Sequence, residues 1–298
     1  MRMSAVKSIA TTAAVVAALL ASSPAVAKGQ GACERPQRLR FAVIPQGNDD
    51  RQVRAMEPML ELLEKQLKIP VETVTPSSYG SVIEGMLSGT IDIARLGPAS
   101  YVTAKRGDPM ITPFASQEQV SPYFAPGGAS AFYYSLLVTR QQGPYDSIAS
   151  LRGKVLALAD PDSTSGALIP RHNFARENHL QLGSYFSRVG YSGNHEQSVL
   201  AVMSRNVDAA FVASANLSDM IAAGKVKLSD LRVLWRSKPI PFDPYVYRGQ
   251  LCADIRNTIR AVFFNGKSPQ VKAALLGLGA TRFVPVTDAN YKIIRELP

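Results

Sequence analysis

With 298 residues, 46% of them hydrophobic, and no low-complexity tract, the chain is long enough for two compact lobes and too apolar to be disordered. Its formal charge of +10 is scattered along the sequence, which excludes the clustered basic arm of a nucleic-acid binder and leaves a mild field suited to an anionic ligand. Two cysteines and three histidines, His172, His179 and His195, show no metal-ligand spacing, so neither a metal nor another cofactor is expected.

The chain opens with Arg2 and Lys7 around a small apolar run at 9–21, and Ala25-Val26-Ala27 reads as an A-x-A cleavage site. The run is shorter than the roughly 20 residues that a membrane helix needs. Residues 1–27 are therefore expected to be an export signal cleaved near Ala27, placing the mature protein in the periplasm; loss of Arg2 and Lys7 lowers the charge from +10 to +8. No leucine-bearing lipoprotein box precedes Cys33. An oxidising compartment permits one disulfide, Cys33 to Cys252, tying the start of the mature chain to a late segment; a reduced pair is the alternative.

Residues 39–44 read as a strand ended by Pro45. A helix over 51–67 follows, capped by Asn48 or Asp49, with Val53, Met56, Leu60, Leu63 and Leu67 on one face. Strand 70–74, helix 79–88, strand 91–96 and helix 99–106 continue the alternation, which predicts an α/β lobe with a mostly parallel sheet. The β-type run 132–139 is expected to cross to a second lobe. There the plan recurs as strand 154–159, helix 168–178, strand 185–189, helix 196–204 and strand 207–212. Ser-Val-Ile-Glu-Gly-Met at 81–86 echoes Ser-Val-Leu-Ala-Val-Met at 198–203, and each leads into a strand holding an aspartate, Asp92 or Asp208, expected to tie turns. After a strand at 232–236, Pro239, Pro241 and Pro244 stiffen an extended segment expected to be the return crossing. Helices at 254–264 and 269–277 end the chain. The expected division is an export signal at 1–27, lobe 1 from 28–136 plus 241–298, and lobe 2 from 137–240, hinged about a cleft. Ligands of such sheets bind beyond the carboxyl ends of the strands.

The most informative stretch is Asp160-Pro-Asp-Ser-Thr-Ser-Gly166, at the junction of a strand and a helix. Hydroxyls beside the unpaired N–H groups of a helix start suit a small tetrahedral oxyanion, whereas the plainer reading makes Ser163 or Thr164 a helix cap. Further pieces stand in a characteristic order: Tyr79, Gly89-Thr-Ile-Asp-Ile-Ala94, Gly97-Pro-Ala-Ser-Tyr101, Tyr134-Ser135, Gly193-Asn-His195, Val207-Asp-Ala-Ala210 and Ser237-Lys-Pro-Ile-Pro241. Together with 160–166 and Pro170 they resemble the phosphate/phosphite/phosphonate-binding proteins of ABC importers, over nearly all of the mature chain from Leu39 to about Phe283.

That resemblance implies a type II periplasmic binding-protein fold: two α/β lobes that close on a phosphorus oxyanion and present it to an ABC permease. It implies a monomer without enzymatic activity. By motif, Ser163, Thr164 and Ser165 would hold the anionic oxygens, His195 would add a donor, and Tyr79, Tyr133 and Tyr134 would close the pocket. Ser100 and Tyr101 would line a wall. Aminophosphonate binders of the family place carboxylates for the ligand ammonium. Here the loop 211–216 has none and Ser214 occupies the wall; Asp243 would serve instead, or accept a proton from the oxyanion. Phosphite, phosphate or a simple alkylphosphonate is the expected ligand. Neither cysteine falls in a ligand loop, which counts against arsenite capture by a thiolate. Two other classes remain: an oxyanion sensor, for example of arsenite, signalling to a membrane kinase, and a serine hydrolase, for which no nucleophile-elbow motif or placed acid exists.

Overall fold

The computed structural model describes residues 33–47, 49–121 and 123–297. The expected export signal at 1–27 and the cap at Asn48 lie outside them.

Two sheets organise the chain. The first runs in the order Ala280–Pro285, Thr112–Ser121, Tyr245–Tyr247, Ile93–Arg95, Leu39–Val43, Val71–Val74, with Ala125–Ser130 also pairing with Thr112–Ser121. The second runs Leu231–Arg236, Ser135–Arg140, Ala209–Ala213, Val155–Leu158, Arg188–Tyr191. Neither is mostly parallel, contrary to the sequence expectation. Leu39–Val43 pairs in parallel with both Val71–Val74 and Ile93–Arg95, but Tyr245–Tyr247 enters antiparallel to Ile93–Arg95 and to Thr112–Ser121. The cause is the connection: a strand returning from the other lobe arrives from the opposite end of the sheet. The second sheet is split in the same way, with Ser135–Arg140 antiparallel to both of its neighbours.

Helix Asp49–Leu67 buries Met56, Met59, Leu60 and Leu63 in one core with Leu39, Phe41 and Val43 of the first sheet. Helix Ala253–Phe263 adds Ile255, Ile259, Val262 and Phe263 to it. Each fully buried aliphatic or phenyl side chain contributes about 1.5–3 kcal/mol. The second sheet is covered on both faces, because alternate residues of a strand point to opposite sides. Leu136 and Val138 share a core with Val199 and Val202, whereas Leu137 meets Phe174 and Phe211 in another. Tyr185, expected to open a strand, instead ends a short helix, Leu182–Tyr185, and its hydroxyl donates to the Ile148 carbonyl at 2.7 Å. The strand begins at Arg188.

The two aspartates of the repeated pattern do the same work in both lobes. Asp92 Oδ2 accepts the Arg40 N–H at 2.9 Å, and Asp208 Oδ2 accepts the Val155 N–H at 2.8 Å. Each carboxylate therefore fastens the start of a neighbouring parallel strand. Asp92 is fully buried and also takes the Arg248 guanidinium at 2.8 Å.

Between the sheets the chain crosses twice, and the crossings pair with each other: Tyr133 lies opposite Ile240 and Phe132 opposite Pro241 in a short antiparallel ribbon. Cys33 and Cys252 form a disulfide that spans 219 residues of sequence. Among the described residues no helix is long and apolar enough to cross a membrane.

Candidate ligand-binding site

The strand Val155–Leu158 ends in a turn whose own polar groups are spoken for. Asp160 Oδ1 accepts the Asp162 N–H at 2.8 Å, and Ser163 N–H donates to the Asp160 carbonyl at 3.0 Å. Ser163 then caps the helical segment that follows, its Oγ accepting the Gly166 N–H at 3.0 Å. This segment opens in wide π-type turns, Thr164–Leu168 and Pro170–Phe174. Gly166 is required for the close fit. A Cβ there would stand 2.4 Å from Ala159 Cβ and 3.0 Å from His195 Cε1.

His195 sits at the first turn of helix His195–Met203, which Asn194 caps by accepting the Gln197 N–H at 2.9 Å. Its Nδ1 accepts the Ala213 N–H at 3.2 Å. In a neutral ring the proton then resides on Nε2. Nε2 lies 3.4 Å from both Ser163 Oγ and Ser165 Oγ. Burial pulls the imidazole pKa down to about 4, so at neutral pH it is an uncharged N–H donor. The same geometry speaks against a serine hydrolase: a general base needs a free Nε2 lone pair and a carboxylate on Nδ1, and His195 has its Nδ1 on a backbone N–H.

Across the cavity, Tyr79 begins helix Tyr79–Ser88, where Ser78 and Ser81 form a reciprocal capping box. Tyr79 and, from the crossing ribbon, Tyr133 both line the cavity together with Ser163 and Thr164. Burial, reinforced by the Asp243 carboxylate, raises both phenol pKa values, so both groups keep their protons. Asp243 Oδ2 accepts Gln46 Nε2 at 2.9 Å and pairs with an Arg95 terminal nitrogen at 3.3 Å. Arg95 also donates to Gln52 Oε1 at 2.9 Å. Burial raises the Asp243 pKa, with Arg95 and Gln46 pulling it back; Arg95 in turn is lifted by Asp243 against the opposing effect of its own burial. These groups line one cavity together with Tyr79, Tyr133, Ser163, Thr164 and His195.

The lobes touch around this cavity. Ala99 N–H donates to Thr164 Oγ1 at 2.8 Å, Ser100 Oγ to the Asp162 carbonyl at 3.0 Å, and Arg51 pairs with Asp219 at 2.9 Å. Gly47 permits the closest approach: its φ is +92°, and a Cβ would fall 2.3 Å from Glu196 Cβ.

Of the residues expected at the site, Tyr79, Tyr133, Ser163, Thr164, His195 and Asp243 line the cavity, and Ser165 stands directly behind them against His195. Four others lie off the lining. Tyr101 gives its hydroxyl to Asp288 Oδ1 at 2.6 Å and packs edge-on against Tyr291. Ser100 is spent on Asp162. Tyr134 lies under the Arg236 guanidinium, 4.7 Å from the ring centre. Ser214 Oγ accepts the Tyr134 N–H at 3.0 Å. In return, the sequence reading missed Arg95, Gln46, Gln52, Gln117 and Asn216, all on the lining. Arg95 had a signal, a lone cation ending the apolar strand Ile93–Arg95 just before Gly97-Pro98. The amides had none. Among the described residues no cluster of His, Cys, Asp and Glu is arranged to hold a metal ion.

A model of a protein family described as "ABC transporter, phosphonate, periplasmic substrate-binding protein" matches residues 41–291, which takes in all but the first two residues of the sheets and every cavity-lining residue named above. The chain belongs to this family. Among similar members, the "Phosphonates-binding periplasmic protein" of Escherichia coli (strain K12) is 30% identical over 269 residues, covering 89% of this chain and 77% of that one. The "Phosphate-import protein PhnD" of Mycolicibacterium smegmatis is 28% identical over 307 residues, 97% and 94% of the two chains. A solved binding-protein component of an ABC phosphonate transporter from Pseudomonas aeruginosa superposes with a TM-score of 0.78 at 26% identity, covering 87% of this chain and 85% of that one. In this periplasmic substrate-binding family the two-lobed α/β fold described above is the type II binding-protein fold.

Proposed function

We propose that the protein captures a small phosphorus oxyanion, namely phosphite, phosphate or a simple phosphonate, between its lobes and hands it to an ABC permease. The observation that carries this reading is the convergence of uncharged donors on one cavity. The hydroxyls of Ser163 and Ser165 face the protonated Nε2 of His195, Thr164 stands beside them on the lining, and two phenols that keep their protons lie on the same cavity. Preorganised neutral donors, shielded from water, hold an anion without demanding a fixed counter-ion. The relatives' names, a phosphonate binder and a phosphate importer, favour the same ligand class.

In this reading Asp243 meets the vertex of the ligand opposite the hydroxyls. The paired crossings at 132–133 and 240–241 serve as the hinge between lobe 1, from 28–136 plus 241–298, and lobe 2, from 137–240. The protein acts as a periplasmic monomer after loss of residues 1–27.

A thermal-shift screen tests the reading, because a ligand that binds only the folded protein raises the melting temperature by mass action. Phosphite, phosphate or methylphosphonate should raise it, while sulfate, arsenite and acetate should not. No response to any phosphorus oxyanion would defeat the proposal.

A further inference from the structure

Two carboxylates line the cavity, Asp219 and Asp243, and each is already engaged by a cavity-lining arginine. Asp243 pairs with Arg95 at 3.3 Å, both side chains being 6% exposed, and Asp219 pairs with Arg51 at 2.9 Å. The carboxylate charges are therefore cancelled where they stand, and this part of the lining presents no free anion. An ammonium on the ligand would have to displace a guanidinium or sit beside one, and in a buried setting like charges repel with little screening.

The rest of this part is amide. Gln52 Nε2 donates to Gln46 Oε1 at 3.0 Å, Asn216 Nδ2 to the same oxygen at 3.3 Å, and Gln117 Nε2 to Gln119 Oε1 at 2.9 Å. Three buried polar atoms of lining residues have no hydrogen-bond partner among the described residues: Arg51 Nε and Arg95 Nε, both donors, and Gln117 Oε1, an acceptor. Leaving such atoms unmatched in a buried site is costly, so a matching ligand group is favoured. A hydroxyl is the smallest uncharged group that both accepts and donates. A methyl group does neither, and an ammonium cannot accept from Arg95 Nε–H.

We infer that the Arg95–Asp243 pair and its amide neighbours make the site selective for phosphorus oxyanions carrying a hydroxyl and reject those carrying an ammonium. This rests on the oxyanion reading above and narrows it. The hydroxyl has two sources: the P–OH of phosphate, or a hydroxyl on an organic substituent. Arg95 acts here as a specificity-determining residue by occupying the carboxylate that an ammonium would need.

Calorimetric titration of the wild-type protein with two matched sets decides it. Phosphate and methylphosphonate differ by OH against CH₃ on phosphorus. The 2-hydroxyethyl-, ethyl- and 2-aminoethylphosphonates differ only at the terminal group. The expected result is a tenfold or greater preference for the hydroxyl member in at least one set, with the aminoethyl compound weakest of its three. A preference confined to phosphate assigns the hydroxyl to phosphorus; one confined to the hydroxyethyl compound assigns it to the substituent.

Aminoethylphosphonate binding as tightly as its hydroxyl analogue would overturn the inference while leaving the oxyanion reading intact, as would the lack of a hydroxyl preference in both sets. Absence of binding by all five would bring down both. Arg95→Met should reverse the order, with aminoethylphosphonate gaining at least tenfold on the hydroxyethyl compound as Asp243 is released; an unchanged ranking in folded variant protein would also overturn it. If the variant fails to fold, the wild-type sets stand alone as the test.

Discussion

The two walls of the cavity are built in opposite ways. The hydroxyl part of the second-lobe wall is local: Ser163, Thr164, Ser165 and Gly166 are consecutive, and His195 stands against Ser163 and Ser165. The first-lobe wall is assembled from a loop, a helix, two strands and the return crossing, through Gln46, Gln52, Arg95, Gln117 and Asp243. The local wall is made of neutral hydroxyls and one neutral imidazole, so under the proposed reading it would hold what all phosphorus oxyanions share. The assembled wall carries paired charges and amides, and in the same reading it would tell one substituent from another.

The largest expected effect on this contrast concerns the neutrality of His195. Its pKa is about 6.5 when unfolded and about 4 when folded, lowered by burial. Between those values the unfolded chain binds the proton and the folded chain does not, so stability from this residue falls as the pH drops. The loss is about 3 kcal/mol between pH 7 and pH 4. Buried Asp160 and Asp243 and half-buried Asp162 and Asp219 have pKa values raised chiefly by loss of hydration and act with the opposite sign, gaining stability as the pH falls. The comparison must therefore be with His195→Gln, by urea unfolding at both pH values. The wild type should lose about 3 kcal/mol relative to the variant on acidification; parallel behaviour would mean that the imidazole is charged in the folded protein.

How much of this was legible in the sequence follows the same division. The second-lobe wall was readable because a hydroxyl run between an apolar strand and a helix is a local pattern. So were the helix face of Met56, Leu60 and Leu63, and the structural rather than ligand-contacting role of Asp92 and Asp208, although they fasten strand starts and not the turns expected of them. The first-lobe wall was not readable, because its members lie up to 197 residues apart, as between Gln46 and Asp243. The strand Thr112–Ser121 hid Gln117 and Gln119, since its polar run lacks the alternation of a half-buried strand. Nor does a tyrosine's identity say which way it points. Tyr101 and Tyr134 were expected at the ligand, yet Asp288 and Arg236 hold them elsewhere, while Tyr133, one residue away from Tyr134, faces the cavity because successive residues of an extended chain alternate sides.

A second, smaller effect separates shared recognition from discrimination. Thr164→Ala should weaken every phosphorus oxyanion by about 1–3 kcal/mol, the cost of leaving buried partners unmatched, with the ligand order unchanged in calorimetry. A change in the ranking would show that the local wall also discriminates. The smallest effect is a control on placement. Tyr101→Phe removes the hydrogen bond to Asp288 and should cost about 1 kcal/mol of stability in urea unfolding, with no change in ligand affinity. Lost affinity at intact stability would place Tyr101 at the ligand after all.

The most direct test of the account is a crystal structure of the protein with the ligand that gives the largest thermal shift. The phosphoryl oxygens should lie within about 3.2 Å of the Ser163 and Thr164 hydroxyls and of His195 Nε2, the ordinary reach of such bonds. The remaining substituent should point toward Arg95 and Asp243. Phosphorus found outside the cavity, or seated against Arg95 and Asp243 with its substituent toward the hydroxyls, would contradict the division of labour between the two walls.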